Sequence, residues 1–371
     1  MKKVVSSLLV SGLIVLAGCG NPQPPAAAPS TSTSASSASA ASDPKAITVA
    51  GVGGKIEAVV RDYVAPKFTE KTGIKVNFIA GVSGEVLSKV ELQKNSPEID
   101  VAMYVPLDVE RARKAGLAES LDSGMIPNLA QIDDRYVALD KVGVPVFGYS
   151  IAPAYNTKAF ETKQIPPIQS WNDIIRPEYK GKTAYSDISN DWGFATLYIL
   201  AKANGGSMEN LEPGLEKAKD LAAYSDTFYK NSTQMIPALQ QGIADVTVMG
   251  SYTIAQTFDA GVPLKMVVPK EGIPLQASNA TIVKNSPNKK AAQDFINFMI
   301  SEEVQHVVAD NGFYPTIKGV KIPDKYIPVI GMKDTDSVYK PDVAKLSESR
   351  NMWSERWIKE VNPQLGKKVV K

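Results

Sequence analysis

Ile47-Thr48-Val49-Ala50 is a short apolar strand signal, Gly51-Val52-Gly53-Gly54 a glycine loop, and Ile56, Val59, Val60 and Tyr63 follow at helical spacing. This strand, loop and helix order decides the fold, because it recurs. Ile74, Val76 and Phe78 alternate with polar residues, Gly81-Val82-Ser83-Gly84 forms the next loop, and Val86 to Leu92 resumes a helical pattern. Ile99-Asp100-Val101-Ala102-Met103, a Tyr104-Val105-Pro106 turn and a charged helix from Asp108 to Ala115 make the third unit. Repeated βαβ order predicts an α/β sheet with helices on its faces and ligands at the carboxyl ends of its strands. Gly51 to Gly54 matches neither G-x-G-x-x-G nor G-x-x-x-x-G-K-[ST], so the loop is read as allowing close backbone approach rather than as a phosphate cradle.

A second set lies further on. Ala184-Tyr185-Ser186 precedes the loop Asp187-Ile188-Ser189-Asn190-Asp191, and Ala195, Thr196, Ile199 and Leu200 then share a helix face. Asn231-Ser232-Thr233 caps a helix from Gln234 to Gln241, and Asp245 to Met249 is a buried strand leading to Gly250-Ser251-Tyr252. Extended segments at Lys141 to Tyr155 and Leu264 to Pro269 flank this set. They predict two lobes joined by two crossings: 47–148 plus 270–371 as the first lobe, with the helices from Asn288 onward returning to it, and 149–269 as the second.

The chain has 371 residues, enough for two domains, and its 41 basic against 39 acidic residues offer no positive field for nucleic acid. One histidine, His306, and one cysteine, Cys19, remove multi-histidine zinc sites, CxxC motifs and an internal disulfide. Lys2 and Lys3 precede a mostly apolar run from Val4 to Leu16, too short for a bilayer span, which predicts a signal peptide over 1–18. From Gly20 to Ala46 the chain is Pro, Ala, Ser and Thr with only Asp43 and Lys45 charged, and it reads as a tether outside the fold.

Leu16-Ala17-Gly18-Cys19 resembles the lipobox of bacterial lipoproteins, which implies a diacylglyceryl anchor on Cys19. The body resembles the solute-binding proteins of bacterial ABC importers. The residues that carry this are Phe68 to Val76, Tyr155-Asn156-Thr157-Lys158, Ser170-Trp171-Asn172-Asp173 leading to Pro177 to Lys182, and the C-terminal Ala292 to Ser301, Gln305 and Gly312 to Thr316. The likeness covers 47 to about 320 and is nearest to the cluster that binds spermidine or putrescine and ferric iron. It implies a two-lobed periplasmic-binding-protein-like fold (type II), hinged on two crossing strands. It also implies a monomer held extracytoplasmically by its lipid anchor, which captures a small-molecule ligand, delivers it to permease subunits and needs no cofactor.

The ligand is expected where strand ends and helix starts of both lobes converge: Gly53, Ser83, Tyr104, Asp187, Ser189, Asp191, Trp192, Ser232, Ser251 and Tyr252. Asp187, Asp191 and Trp192 suit an organic cation, which wants charge pairing and an aromatic face. The segment Lys270 to Ser278 lacks the tryptophan and aspartate of polyamine receptors, and Tyr252 stands without the adjacent tyrosine of ferric receptors, so no metal site is expected. Ser83, Ser189, Asn190, Asn231, Ser232 and Ser251 equally suit an anionic head, and phosphonate, carboxylate or ferric complexes stay open as alternatives. Trp171 is read as structural, and Trp353 and Trp357, at i and i+4, as packing. An exported hydrolase is the remaining alternative. It lacks support: Ser83 has no G-x-S-x-G spacing, and His306 lies in an amphipathic helix, where it reads as a surface or packing residue.

Overall fold

The structure, a computed structural model, describes residues 45–136, 141–333 and 337–367. The signal peptide, Cys19 and nearly all of the tether lie outside these residues. The first set of units comprises β1 (Ala46–Val52), α1 (Lys55–Val59), α2 (Ala65–Thr72), β2 (Lys75–Gly81), α3 (Ser83–Leu92), β3 (Val101–Tyr104) and α4 (Pro106–Lys114). β1 lies between β2 and β3, parallel to both, with Ala46 opposite Lys75 and Val49 opposite Val101. Helices cover both faces: Ile56, Val60, Val64 and Phe68 pack on one side with Val49 and Met103, while Val86, Leu87, Val90 and Val109 pack on the other with Ala50 and Ala102.

β4 (Val144–Asn156) leads into the second set: α5 (Thr157–Lys163), β5 (Thr183–Ser186), α6 (Asp191–Ala203), α7 (Glu212–Ala223), β6 (Phe228–Tyr229), α8 (Ser232–Gln240), β7 (Val246–Gly250), α9 (Ser251–Asp259) and β8 (Leu264–Met266). β5 runs parallel to both β6 and β7, and β7 runs antiparallel to β4. β9 (Ile273–Ile282), α10 (Lys289–Met299), α11 (Glu302–Asp310), α12 (Ile327–Ile330), β10 (Val338–Tyr339) and α13 (Val343–Arg356) complete the chain. The strand order β2-β1-β3-β9-β4-β7-β5-β6, with β10 on β9 and β8 on β4, joins the lobes through one curled sheet.

Two strands make the join. β4 pairs with β9 from Val144 to Ser150 and with β7 from Ile151 to Tyr155, so one continuous strand passes from one lobe to the other. β9 returns, holding Leu275 against Ser150 and Asn279 against Tyr104. The expectation that Leu264 to Pro269 makes the second crossing is therefore corrected. β8 pairs with Ala154 to Asn156 at the far end of β4, and its three residues span only about 10 Å. The ten buried residues of β9 have the length for the task.

The C-terminal residues, expected in the first lobe, divide between the two. α10 and α11 put Phe295, Ile296, Val304 and Val308 into the first-lobe core, but Tyr326, Ile330, Leu346, Trp353, Trp357 and Val361 belong to the cluster that fills the second lobe. α13 packs on α4 and the turn after it on α7, so the tail straddles both lobes rather than returning to one. Burial of large apolar side chains drives this. Fully burying even one Leu or Phe is worth about 1.5–3 kcal/mol, and Trp357 is fully buried with its ring 5.4 Å from that of Phe228.

Candidate ligand-binding site

The strand ends of the first lobe bring Gly53, Ser83 and Tyr104 together, as their place at the ends of β1, β2 and β3 requires. Gly53 donates its N–H to Gly81 O at 3.3 Å. Ser83 is buried and its Oγ accepts from Val105 N–H at 3.1 Å, which ties one loop to the next. Tyr104 is also buried, and its hydroxyl has no partner among the described residues.

In the second lobe the loop before α6 folds on itself. Asp187 Oδ1 accepts from Ser189 N–H at 2.9 Å and from Ser189 Oγ–H at 2.6 Å, an Asx turn that engages this oxygen. A Cβ at Gly193 would collide with the Asp187 carbonyl oxygen, so glycine is required where α6 passes this turn. Asn190 caps the helix, accepting from Trp192 N–H at 2.9 Å. Ser251 is fully buried and accepts from Ser150 N–H at 3.2 Å, which fixes α9 to β4. Ser232 begins α8 beside its cap, Asn231. Asp187, Ser83 and Ser251 thus spend acceptor capacity on the loops that carry them.

Asp191 differs. Its side chain is 20% exposed, its Oδ2 is buried without a hydrogen-bond partner, and its Oδ1 lies 3.8 Å from Arg350 Nη1 on α13. Burial raises its pKa to about 6; Arg350 opposes the rise and Asp108 adds to it. Aromatic rings connect this position to the hinge. Trp192 meets Tyr252 edge to face at 6.1 Å, Tyr252 meets Tyr149 at 5.8 Å, and Tyr252 stacks on Phe313 at 4.5 Å. Gly250 makes room for them, since a Cβ there would stand 2.8 Å from the Tyr252 ring and 3.1 Å from Trp192. Burial pushes the Tyr252 hydroxyl up to about 12, with Asp191 adding to the rise, so it stays a neutral donor.

The hinge strands add residues the sequence reading missed. Tyr149 donates its hydroxyl to Gln276 Oε1 at 3.1 Å, and Gln276 Nε2 donates to the Tyr198 hydroxyl at 3.0 Å. Burial comes first in raising Tyr149 and Tyr198, and the charge of Asp191 reinforces it in both. Gln276 lies in the very segment noted for lacking tryptophan and aspartate. Its place opposite Tyr149 follows from register, which no local pattern announces. A small open pocket of about 80 Å³ reaches this region, lined by Pro106, Tyr136, Gln276, Asn279 and Lys340. Trp171 is fully buried and donates Nε1–H to Gly272 O at 2.8 Å, a structural role as read.

Two sets of strand ends, a hinge and a carboxylate with one buried, unpartnered oxygen near aromatic rings thus meet where the lobes join. The profile of the bacterial extracellular solute-binding protein family matches residues 64–328. The chain belongs to that family. Among relatives, Iron uptake protein A1 of Synechocystis is 25% identical over 312 residues, 78% of this chain and 82% of that protein. The spermidine/putrescine-binding periplasmic protein of Salmonella typhimurium is 27% identical over 268 residues, 69% of this chain and 75% of that one. The solved structure of the periplasmic binding protein AfuA from Actinobacillus pleuropneumoniae, with fructose-6-phosphate bound, superposes with a TM-score of 0.72 at 22% identity, covering 85% of this chain and 99% of AfuA. The solute-binding protein is accordingly a two-lobed, extracytoplasmic component of an ABC transporter, and the relatives divide among different solutes.

Proposed function

We propose that this solute-binding protein captures a small organic solute bearing an ammonium group, the class that includes polyamines, and hands it unchanged to its permease. Asp191 Oδ2 carries the reading. A buried carboxylate oxygen with no donor is costly, about 1–3 kcal/mol and more for a charged group, unless a ligand supplies one. Trp192, Tyr252 and Tyr149 support it, since a desolvated cation gains from aromatic faces. Gly53, Ser83, Tyr104, Ser189 and Ser232 complete the proposed rim from the strand ends and helix starts, with Gln276 and Tyr198 added from the hinge and α6. Anchoring at a lipidated Cys19 and a monomeric state belong to the same proposal; among the described residues no helix is long and apolar enough to cross a membrane.

The test is a thermal-shift panel on the full-length chain with polyamines, amino acids, phosphonates, thiamine and ferric citrate. A ligand at 100 times its dissociation constant adds about 2.7 kcal/mol. Amines are expected to raise the melting temperature. A shift with phosphonate or ferric citrate alone overturns the ammonium reading in favour of an anionic or ferric solute.

A further inference from the structure

The guanidinium beside Asp191 is not a settled ion pair. Arg350 projects from α13, its side chain is 18% exposed, and it lies over the Phe194 ring at 4.8 Å. Among the described residues its donors reach one hydrogen-bond acceptor, the Ser189 carbonyl, at 3.4 Å. The 3.8 Å to Asp191 Oδ1 is too long for a hydrogen bond. An arginine has five N–H donors in a planar fork suited to a carboxylate, and the single long hydrogen bond to Ser189 leaves the others available to a ligand. A carboxylate with one unpartnered oxygen and a guanidinium with a single long hydrogen bond therefore stand 3.8 Å apart at their nearest atoms.

We infer that the solute is zwitterionic, with an amino-acid head group whose ammonium meets Asp191 Oδ2 and whose carboxylate meets Arg350. This rests on the proposal that Asp191 holds an ammonium group, and it adds the second charge. A simple amine would sit beside the uncompensated guanidinium, and a simple anion beside the uncompensated carboxylate. Only a ligand with both charges satisfies both groups and leaves the closed site neutral. The spacing fixes the class further. Protein charges 3.8 Å apart call for ligand charges borne on the same or adjacent carbons, as in α- and β-amino acids. The rings of Tyr149, Trp192 and Tyr252 then face the remainder of the solute.

Because Arg350 is on the tail that straddles the lobes, it is a specificity-determining residue that neither lobe supplies alone. Entry to Asp191 Oδ2, which has no solvent contact, requires the lobes or α13 to move apart, and a bidentate carboxylate on Arg350 would hold α13 in place afterwards.

The experiment is calorimetric titration of the full-length chain and of Arg350→Gln, Arg350→Lys and Asp191→Asn. The probes are the α-amino acids, β-alanine, the amine left by decarboxylation of each binder, and putrescine and spermidine. Melting curves without ligand verify that each variant folds. The wild type should bind one or more amino acids about tenfold or more tighter than the matching amine. Arg350→Gln should bring that ratio to about one by losing affinity for the amino acid, Arg350→Lys should restore part of it, and Asp191→Asn should weaken amino acid and amine alike. A polyamine or decarboxylated amine bound as tightly as any amino acid, unchanged or improved in Arg350→Gln, overturns the zwitterion while leaving the ammonium reading intact. Absence of binding by every amine and amino acid overturns both.

Discussion

Asp191 has a carboxyl whose pKa of about 6 stands above the ordinary aspartate value near 3.9, and the sign of its effect follows. Between about pH 4 and pH 6 the folded chain holds a proton that the unfolded chain has released. This group therefore stabilises the fold as pH falls through 6 and loses that contribution as pH rises, by roughly 3 kcal/mol at most for a rise of about two units. The groups that face it are Arg350 of α13, Asp108 of α4, Tyr149 of β4, Tyr252 of α9 and Tyr198 of α6. Since Asn does not titrate, Asp191→Asn should gain stability relative to the wild type between pH 4.5 and pH 7.5. Denaturant unfolding at the two pH values measures this, and a pH-independent difference would contradict the burial of the carboxylate. Affinity for an ammonium ligand should run the other way in the wild type, falling below pH 6 as Asp191 protonates. Gly193 supplies a second residue-scale prediction: Gly193→Ala drives a methyl group into the Asp187 carbonyl, so stability should fall by about 1–3 kcal/mol and ligand affinity with it.

At the scale of elements, the C-terminal tail is the part whose role periodicity described and packing redefined. Trp353 and Trp357 at i and i+4 pack as their spacing predicts, both buried. What they pack against was not legible, because a helical stripe states that a face is covered and not which partner covers it. Trp357→Ala should lower stability by about 3–5 kcal/mol, as large-to-small changes of buried aromatics do, with Trp357→Phe retaining most of it. The hinge shows the same limit. Extended chain at Lys141 to Tyr155 was readable from its apolar run, since β4 is buried along twelve of its thirteen residues. The sequence does not single out the returning strand, because Leu264 to Pro269 and Ile273 to Ile282 both read as extended, and only register with β3 and β4 separates a crossing from a short edge strand.

For the whole molecule, the straddling tail and the two hinge strands make closure the expected response to ligand. Small-angle scattering of the full-length chain should show a smaller radius of gyration with a confirmed ligand and no change in oligomeric state; expansion, or a dimer, would count against a clamp. Cys19→Ser should move the protein from the membrane to the soluble fraction, since a diacylglyceryl anchor supplies the two chains that stable attachment needs. Identical partitioning of wild type and variant would remove the anchor from the proposal.

The sequence by itself determined the repeated βαβ units, the two-lobed class, the family and the position of Asp191 at a helix start, because these reside in period, spacing and capping, which are local. The tertiary structure decided which polar residues are free. Asp187 and Asp191 stand four residues apart in one acidic loop, yet Oδ1 of the first accepts two hydrogen bonds within its own turn and the second is left with a buried, unpartnered oxygen beside an arginine 159 positions away. No pattern in the chain separates them. Hydrogen-bond satisfaction and burial are properties of the closed fold, set by register and by a tail whose destination only long-range packing determines.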